Sequence, residues 1–350
     1  MFARLGASLT TIVIALGALS LHCSRTPSGD APTPGPSGAS SAAAKPAAGR
    51  LKIAVVPKGT THEFWKSVHA GAVKASRELD VDIVWKGPLK EDDLKAQVDV
   101  VSTFVAQGVS GIVLAPLSDV GLRAPVKAAK EAKIPVVIFD SDLQGDDHAS
   151  FVATDNVAAG KIAGDALVGL TAGKSQLLMP RYQEGSASTQ NRERGFLEAV
   201  KAKPGVTVVS DNQYGGATTE SALQKSESLL LAQRATSGGV TGIFTPNEST
   251  TFGMLLAMRK TGIAKKVKFI GFDASEKLVT ALRDGDVDGL VVQNPFNMGY
   301  LAIKTMVDVL KGKPVEKRID TGARLVTKAN IEDPAVKEVI APDLKKWLGE

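Results

Sequence analysis

Cysteine is almost absent from this 350-residue chain, because Cys23 is the only one. The rest of the chain therefore offers no thiol for catalysis or zinc binding. Histidine is also scarce, and the four histidines (His22, His62, His69 and His148) lack the spacing of a metal site. The net charge is +5, but the lysines are scattered and form no basic run. These absences argue against a metal, a cofactor and a nucleic-acid partner.

The N-terminus holds a long apolar stretch. Arg4 supplies a positive charge, residues 5–21 are almost uncharged, and Cys23 follows. The stretch is marginally short for the roughly 20 residues of a membrane-spanning helix, and its flanks fit a secretory signal peptide over residues 1–22. A solitary cysteine at this point is typical of a bacterial lipoprotein, in which the thiol carries the lipid. A cut after Ser20 would instead release a soluble periplasmic protein.

The segment that follows consists mainly of proline, serine, glycine and alanine. Residues 23–50 cannot bury enough apolar surface to fold, so we expect a disordered tether. A spacer between a lipid anchor and a globular body favours the lipoprotein. The predicted location is the periplasm or cell envelope, with membrane attachment through Cys23.

From Leu51 onward, apolar strand-like runs alternate with amphipathic helical stretches. The length exceeds what one hydrophobic core usually serves, so two domains are expected. The strands are near-continuous Val/Ile runs, as expected when helices cover both faces of a parallel sheet. Predicted strands are 51–56, 81–85, 111–114, 135–139, 151–154, 175–179, 206–210, 240–244, 267–271, 287–293 and a short one near Leu325. Predicted helices are 63–79, 93–107, 119–132, 158–170, 189–202, 218–235, 249–261, 275–283, 298–311 and one in the tail. The fold class is α/β, with two Rossmann-like lobes.

Candidate binding residues cluster at the ends of these strands. Phe64-Trp65, Asp140, Asn247 and Asp273 each follow a strand, and Arg192 comes from a fifth strand end. In an open α/β sheet, ligands bind at the carboxyl ends of the strands. Aromatic, acidic, amide and guanidinium groups are better suited to binding a polyol than to catalysing the cleavage of a bond.

An ordered set of short phrases resembles the type I periplasmic sugar-binding proteins, in the ribose-binding-protein-like branch that serves ABC transporters. One such phrase alone is weak, but their order and spacing cover residues 51–327. The phrases are Ile53 to Lys58 with Glu63-Phe64-Trp65, Gly111 to Pro116, Ile134 to Asp140, Ala153 to Asn156 with Ala163-Gly164, Gly185 to Ser188 with Arg192, Gly195 and Phe196, Asn247-Glu248, Gly271-Phe272-Asp273, and Val292-Gln293.

The resemblance implies a solute-binding protein, without enzymatic activity, that captures a monosaccharide or similar small polyol. The lobes would be 51–154 plus 294–322 and 155–293 plus 323–350, joined by a three-strand hinge that closes on the ligand. A monomer would deliver the sugar to an ABC transporter permease.

The resemblance also implies a set of ligand-binding residues, each with a structural alternative. Phe64 and Trp65 would stack on the sugar, with Trp65 the stronger candidate, although such pairs are more often core. Asn247 and Asp273 would bind hydroxyls but could instead cap helices. The full set is Lys58, His62, Phe64, Trp65, Asp140, Asp142, Arg192, Tyr214, Asn247, Asp273 and Gln293.

One departure from the family pattern concerns the sugar. Ribose-binding proteins have an arginine after the aspartate that corresponds to Asp140, whereas this chain has Ser141-Asp142. The lost donor argues against ribose and makes Asp142 a possible second acceptor. Lys58, at a position where ribose binders have a small hydroxyl residue, would restore the positive charge or simply face solvent.

Two rival functions stay open at this stage. A sensor of the same fold would pass its ligand, including a furanosyl quorum signal, to a receptor kinase. Alternatively, Asp140-Ser141-Asp142 forms the D-x-D triplet of sugar-processing enzymes that hold a metal. That triplet is short and common, so the enzyme is the weaker alternative.

Overall fold

The computed structural model describes residues 49–171 and 175–349. They form two six-stranded sheets, which we call sheet A and sheet B. Sheet A consists of β1 (Lys52–Val56), β2 (Asp82–Trp85), β3 (Gly111–Leu114), β4 (Val136–Phe139), β5 (Ser150–Ala153) and β11 (Arg318–Asp320). Its strands lie in the order β11-β5-β4-β3-β1-β2. Sheet B consists of β6 (Ser175–Leu178), β7 (Val206–Ser210), β8 (Gly242–Phe244), β9 (Lys268–Phe272), β10 (Gly289–Gln293) and β12 (Ala323–Val326). Its strands lie in the order β12-β10-β9-β8-β6-β7. Only β12 among these strands pairs antiparallel, with β10.

Helices cover both faces of each sheet. We call sheet A with its helices lobe one: α1 (Glu63–Leu79), α2 (Leu94–Ala106), α3 (Arg123–Glu131) and α9 (Pro295–Leu310). Sheet B with its helices is lobe two: α4 (Asn156–Thr171), α5 (Ala187–Lys201), α6 (Thr219–Ala232), α7 (Glu248–Lys260), α8 (Glu276–Asp284) and α10 (Pro334–Ile340). The predicted α/β fold of two helix-flanked sheets is confirmed.

Strand β1 shows why the central strands are continuously apolar. Ile53 and Val55 enter the core between sheet A and helices α1 and α9, whereas Ala54 and Val56 enter the core on the opposite face. Both side-chain directions of the strand are therefore buried. Burial of both faces removes the polar alternation of a half-exposed strand.

Helices α1 and α9 approach each other closely through glycine. A Cβ on Gly71 would lie 1.8 Å from the Phe296 carbonyl oxygen, and one on Gly299 would lie 2.0 Å from that of Val68. Any larger residue at either position would separate the helices. This contact holds the start of α1, with Phe64 and Trp65, against the rest of lobe one.

The chain passes between the sheets after β5, after β10 and between β11 and β12. These crossings lie close to the predicted boundaries at 154, 293 and 322. No helix in the described ranges is both long and apolar enough to cross a membrane. The predicted signal peptide, Cys23 and nearly all of the predicted tether lie outside the described residues.

Several predicted boundaries were wrong. Strand β11 was not predicted, because it is only three residues long and half-exposed. Helix α3 begins at Arg123 rather than 119, and α6 ends at Ala232, before a 3₁₀ turn at Ala235–Ser237. The tail was assigned wholly to the second lobe, but its last helix, α11 (Leu344–Leu348), packs on α1 of lobe one.

Candidate functional site

The carboxyl ends of strands from both sheets meet at one narrow polar cavity between the lobes. Lys58 and Asp140 follow strands of sheet A, whereas Asn247, Asp273 and Gln293 follow or end strands of sheet B. The lining consists of Lys58, His62, Phe64, Trp65, Glu91, Asp140, Tyr182, Ser188, Thr189, Arg192, Asn247, Glu248, Asp273 and Gln293. It includes nine of the eleven residues that the sequence predicts as ligand-binding.

Two aspartates occupy corresponding positions, one in each lobe. Asp140 follows β4 with φ 61°, and Asp273 follows β9 with φ 68°. This left-handed conformation is uncommon outside glycine, although aspartate tolerates it better than most residues, and strained backbone is frequent at binding sites. In both lobes it directs a carboxylate into the cavity at the end of a buried strand.

Lys58 contacts both lobes. Its Nζ lies 3.2 Å from Asp140 Oδ2 and donates to Ser186 Oγ at 3.2 Å and Ser188 Oγ at 3.1 Å. Only 3% of the residue is exposed, so it is not the solvent-facing lysine of the alternative interpretation. A buried ammonium needs such partners, because burial without them is costly.

Arg192 is fixed by several contacts within lobe two. Its Nε donates to Asn156 Oδ1 at 2.8 Å, its Nη1 donates to the Pro246 carbonyl at 2.9 Å, and its guanidinium lies 4.0 Å from the Phe272 ring centroid. Burial lowers the pKa of Arg192, while Asp273 and Asp140 oppose that shift. The planar guanidinium is thereby oriented before any ligand arrives, as paired donation to hydroxyls requires.

Asp273 and its neighbours form the lobe-two wall. Asp273 accepts from Gln293 Nε2 at 2.8 Å and from the Glu248 backbone N–H at 3.0 Å, and burial raises its pKa. Asn247 is an N-cap, as the structural alternative proposed, because its Oδ1 accepts from the Thr250 N–H. It lines the cavity as well.

Glu91 was missed by the sequence analysis and is the most connected carboxylate of the cavity. It accepts from Trp65 Nε1 at 2.6 Å, lies 2.8 Å from His62 Nδ1, and accepts from the Tyr182 hydroxyl of lobe two. Burial alone would raise the pKa of Glu91, but His62, Lys58 and Tyr182 lower it to about 2. Burial also works against the charge on His62, yet Glu91 and two further carboxylates raise that pKa to about 9. The ion pair is therefore charged at neutral pH.

The aromatic pair forms one wall of the cavity. The Phe64 and Trp65 rings are 4.9 Å apart and nearly perpendicular, and Trp65 also contacts Phe139 edge to face. Trp65 is only 2% exposed and belongs to the core of lobe one, whereas Phe64 is half-buried. Both the structural and the binding interpretation of this pair thus have support.

The structure does not bring Asp142 and Tyr214 to this cavity. Asp142 lines a neighbouring cavity with Arg194 and Arg318, because the turn after Asp140 directs it away. Tyr214 is 40% exposed and packs near the Arg181 guanidinium. Neither contributes to the cavity that the other predicted residues line.

Contacts between the lobes cover the cavity. Glu248 of lobe two accepts from the backbone N–H of Glu63 and of Phe64, at 3.4 and 3.2 Å. In return, Glu63 accepts from the Glu276 N–H at 2.7 Å. Each carboxylate thus lies at the first turn of a helix in the opposite lobe, where the helix dipole favours negative charge. Burial raises the pKa of Glu248 to about 7.

Comparison with known proteins identifies the family. The model for the periplasmic binding protein domain matches residues 53–314. The chain is 34% identical to a carbohydrate-transporter solute-binding protein from Agrobacterium radiobacter in complex with D-arabinose, with a TM-score of 0.79 and coverage of 84% of this chain and 100% of that one. It is 35% identical to an ABC transporter solute-binding protein from Agrobacterium vitis with bound D-fucose, with a TM-score of 0.79 and coverage of 83% and 99%. It is 27% identical over 280 residues to the ribose import binding protein of Salmonella typhimurium, covering 79% and 90% of the two chains.

These relatives are sugar-binding transport proteins, not enzymes, and the two solved structures share the fold of this chain. Family membership implies an extracytoplasmic location. The chain therefore belongs to the periplasmic binding proteins, in the ribose-binding branch of sugar ABC transporter solute-binding proteins.

Proposed function

We propose that this protein captures a monosaccharide or similar small polyol between its lobes and delivers it to an ABC transporter permease. The observation that carries the proposal is the convergence of Asp140 and Lys58 from lobe one with Arg192, Asn247 and Asp273 from lobe two on one cavity. Because both lobes contribute, the site is complete only when the lobes are together.

The charge balance of the cavity supports a neutral ligand. The lining carries three basic groups and four carboxylates, which are Lys58, His62 and Arg192 against Glu91, Asp140, Glu248 and Asp273. Glu248 has a pKa of about 7, so the net charge near neutral pH is small. A sugar hydroxyl both donates and accepts, so it can bridge carboxylate and guanidinium groups, and each hydroxyl left unmatched would cost about 1–3 kcal/mol.

The sugar class follows from the relatives and from the departure at Ser141-Asp142. One relative at about one-third identity has D-arabinose bound and another has D-fucose. The residue directly after Asp140 is Ser141, not the arginine that ribose-binding proteins have there. We therefore place aldopentoses other than ribose and 6-deoxyhexoses first among the candidate ligands.

Binding and release are proposed to follow hinge closure at the three chain crossings. Rigid-body closure around a ligand is a common transition in two-lobed binding proteins. To shift a population from 1:99 to 99:1, the sugar must favour the closed form by about 5.5 kcal/mol. The closed form would then present both lobes to the permease.

Export and lipid anchoring at Cys23 complete the proposal. Mass spectrometry of the mature N-terminus, with the fractionation of a Cys23→Ser variant, tests this part. A diacylated Cys23 and release of the variant from the membrane fraction support the anchor. A mature chain that begins after Ser20 contradicts it.

A thermal-shift screen tests the sugar-binding role. Residues 48–350, which form one compact unit, would be screened against pentoses, hexoses, 6-deoxyhexoses, inositols and furanosyl sugars. A ligand that binds only the folded state at 100 times its Kd adds about 2.7 kcal/mol, which gives a clear rise in Tm. No shift with any sugar would contradict the proposal.

A further inference from the structure

A second cavity adjoins the sugar cavity on the side of the C-terminal tail. Its volume is about 730 Å³, within the range of roughly 300–1,000 Å³ for small-molecule sites. Three parts of the chain form its walls: the start of α1, lobe-two residues around the start of α8 with the crossing at 292–295, and tail residues 337–344. The tail wall lies beyond residue 314, where the family match ends.

The two cavities share a boundary. Phe64, Glu248, Asp273 and Gln293 line both of them. Gln293 is 2% exposed, and its Nε2 donates to Asp273. Its Oε1 is buried and has no hydrogen-bond partner within the described residues. Since buried polar atoms are rarely left unsatisfied, this acceptor points to a ligand donor at the boundary.

The walls of the second cavity differ in chemistry from those of the first. Its apolar lining consists of Phe64, Ala274, Val279, Val292, Pro295, Val339, Ile340, Ala341, Pro342 and Leu344. The side chains of Glu276, Arg283, Lys337 and Glu338 are exposed and form its charged rim. A hydroxylated ring gains less from such apolar walls than an apolar group of the same size does.

We propose that the second cavity holds the apolar aglycone of a glycoside whose sugar ring occupies the first cavity. The inference rests on the proposed sugar-binding function and extends its substrate class from free sugars to aryl or alkyl glycosides. Phe64 and Gln293 line both cavities, and the first cavity measures only about 30 Å³ in this structure. The ring and its substituent would therefore lie side by side only after the lobes part to admit the ligand. Glycosides would thus bind through polar contacts at the ring and apolar contacts at the substituent.

Isothermal titration calorimetry on residues 48–350 tests the proposal with matched ligands. The probes are free D-galactose, D-fucose and arabinose, their methyl glycosides and their p-nitrophenyl glycosides, as both anomers. For at least one sugar and anomer, we expect the p-nitrophenyl glycoside to bind about tenfold tighter than the methyl glycoside, because an aromatic ring leaves water. Equal affinities of the two glycosides for every sugar would overturn the proposal.

A variant in the tail separates this cavity from the sugar site. Ala341 is exposed at the tail wall, so Ala341→Trp adds bulk to this wall of the cavity without disturbing a core. We expect it to abolish the tenfold gain of the p-nitrophenyl glycoside over the methyl glycoside, with Ala341→Ser as the matched control. The Kd of the free sugar, measured on the same variants, separates this effect from any effect of the tail on lobe closure. A gain that survives Ala341→Trp contradicts the proposal. If free sugars bind and no aryl glycoside binds tighter, only this inference fails; if no sugar or glycoside binds, the proposed function fails with it.

Discussion

The Tyr182 hydroxyl of lobe two donates a hydrogen bond to the Glu91 carboxylate of lobe one. Both residues are buried, and Glu91 also holds Trp65 and His62. One carboxylate therefore fixes an aromatic wall of the cavity and accepts a contact from the opposite lobe. Lobe closure and the shape of the sugar site are coupled at this point.

Loss of that hydroxyl should weaken sugar binding. Tyr182→Phe keeps the ring but removes a hydrogen bond to a charged group, which contributes about 1.5–3 kcal/mol. We expect the Kd of the sugar identified by the thermal-shift screen to rise about 10- to 100-fold by calorimetry. Tyr214→Phe is the matched control, because Tyr214 lies outside the cavity. Equal effects of the two substitutions would count against the coupling.

The two aspartates of the Asp140-Ser141-Asp142 triplet should differ in their contribution. Asp140 lines the sugar cavity beside Lys58, whereas Asp142 lines a separate cavity. We expect Asp140→Asn to raise the sugar Kd by about tenfold or more, because a charged acceptor is lost, and Asp142→Asn to change it less than about twofold. Calorimetry on both variants measures the two sugar Kd values. A larger loss in the Asp142 variant would show that the sugar occupies the neighbouring cavity.

Stability should fall as the pH rises above 6.5. His62 has a pKa of about 9 in the folded protein, against an ordinary value of 6.5. Between these values the folded state binds more protons than the unfolded state, so the free energy of unfolding decreases with rising pH, by up to about 3 kcal/mol. Urea unfolding at pH 6.5, 7.5 and 9 measures this slope.

His62→Gln should reduce the slope in that window. Glu248 has a pKa of about 7 in the folded protein, against an ordinary value of 4.5. It therefore contributes a similar fall in the free energy of unfolding between about pH 4.5 and 7, and Glu248→Gln should remove that contribution. His148 serves as control: burial lowers its pKa, so it affects stability only below about pH 6.5. An unchanged slope in the His62 variant would contradict the assignment of the ion pair.

The C-terminal helix should favour the closed form. The Trp347 ring on α11 lies 6.3 Å from the Phe296 ring of lobe one, measured between centroids. Arg77 Nη2 of lobe one donates to the Trp347 carbonyl at 3.1 Å. The preceding helix, α10, buries Val336 in the core of lobe two. The tail therefore links the two lobes.

Trp347→Ala should shift the ligand-free protein toward the open form and raise the sugar Kd by up to about fivefold, since about 1 kcal/mol of packing is lost. Small-angle X-ray scattering of the ligand-free variant measures the opening as an increased radius of gyration. Leu231→Ala, at an 81%-exposed position on lobe two, is the control. A Trp347 variant as compact as the control would argue against the link.

The fold was predictable because burial on both faces leaves a clear signal. Residues 53–56 and 112–114 are apolar throughout and buried, so the strands were recognised in the sequence. Short, half-exposed strands such as Arg318–Asp320 leave no such signal, because three residues cannot establish a period.

The candidate site was predictable where residues follow strands, as Asp140 and Asp273 do. Glu91 lies instead in the irregular segment between β2 and α2, next to two other acidic residues. Its burial depends on Tyr182, which lies 91 positions away in the other lobe. No local pattern encodes such a contact. Glu248 had a weak signal, because it directly follows the predicted residue Asn247.

The crystal structure of residues 48–350 with the sugar from the thermal-shift screen tests the central claim most directly. The account predicts one sugar ring between the lobes, with its hydroxyls bonded to Asp140 on one side and to Arg192 and Asp273 on the other. A sugar bound at the surface of a single lobe, with those three side chains making no contact to it, would contradict the account.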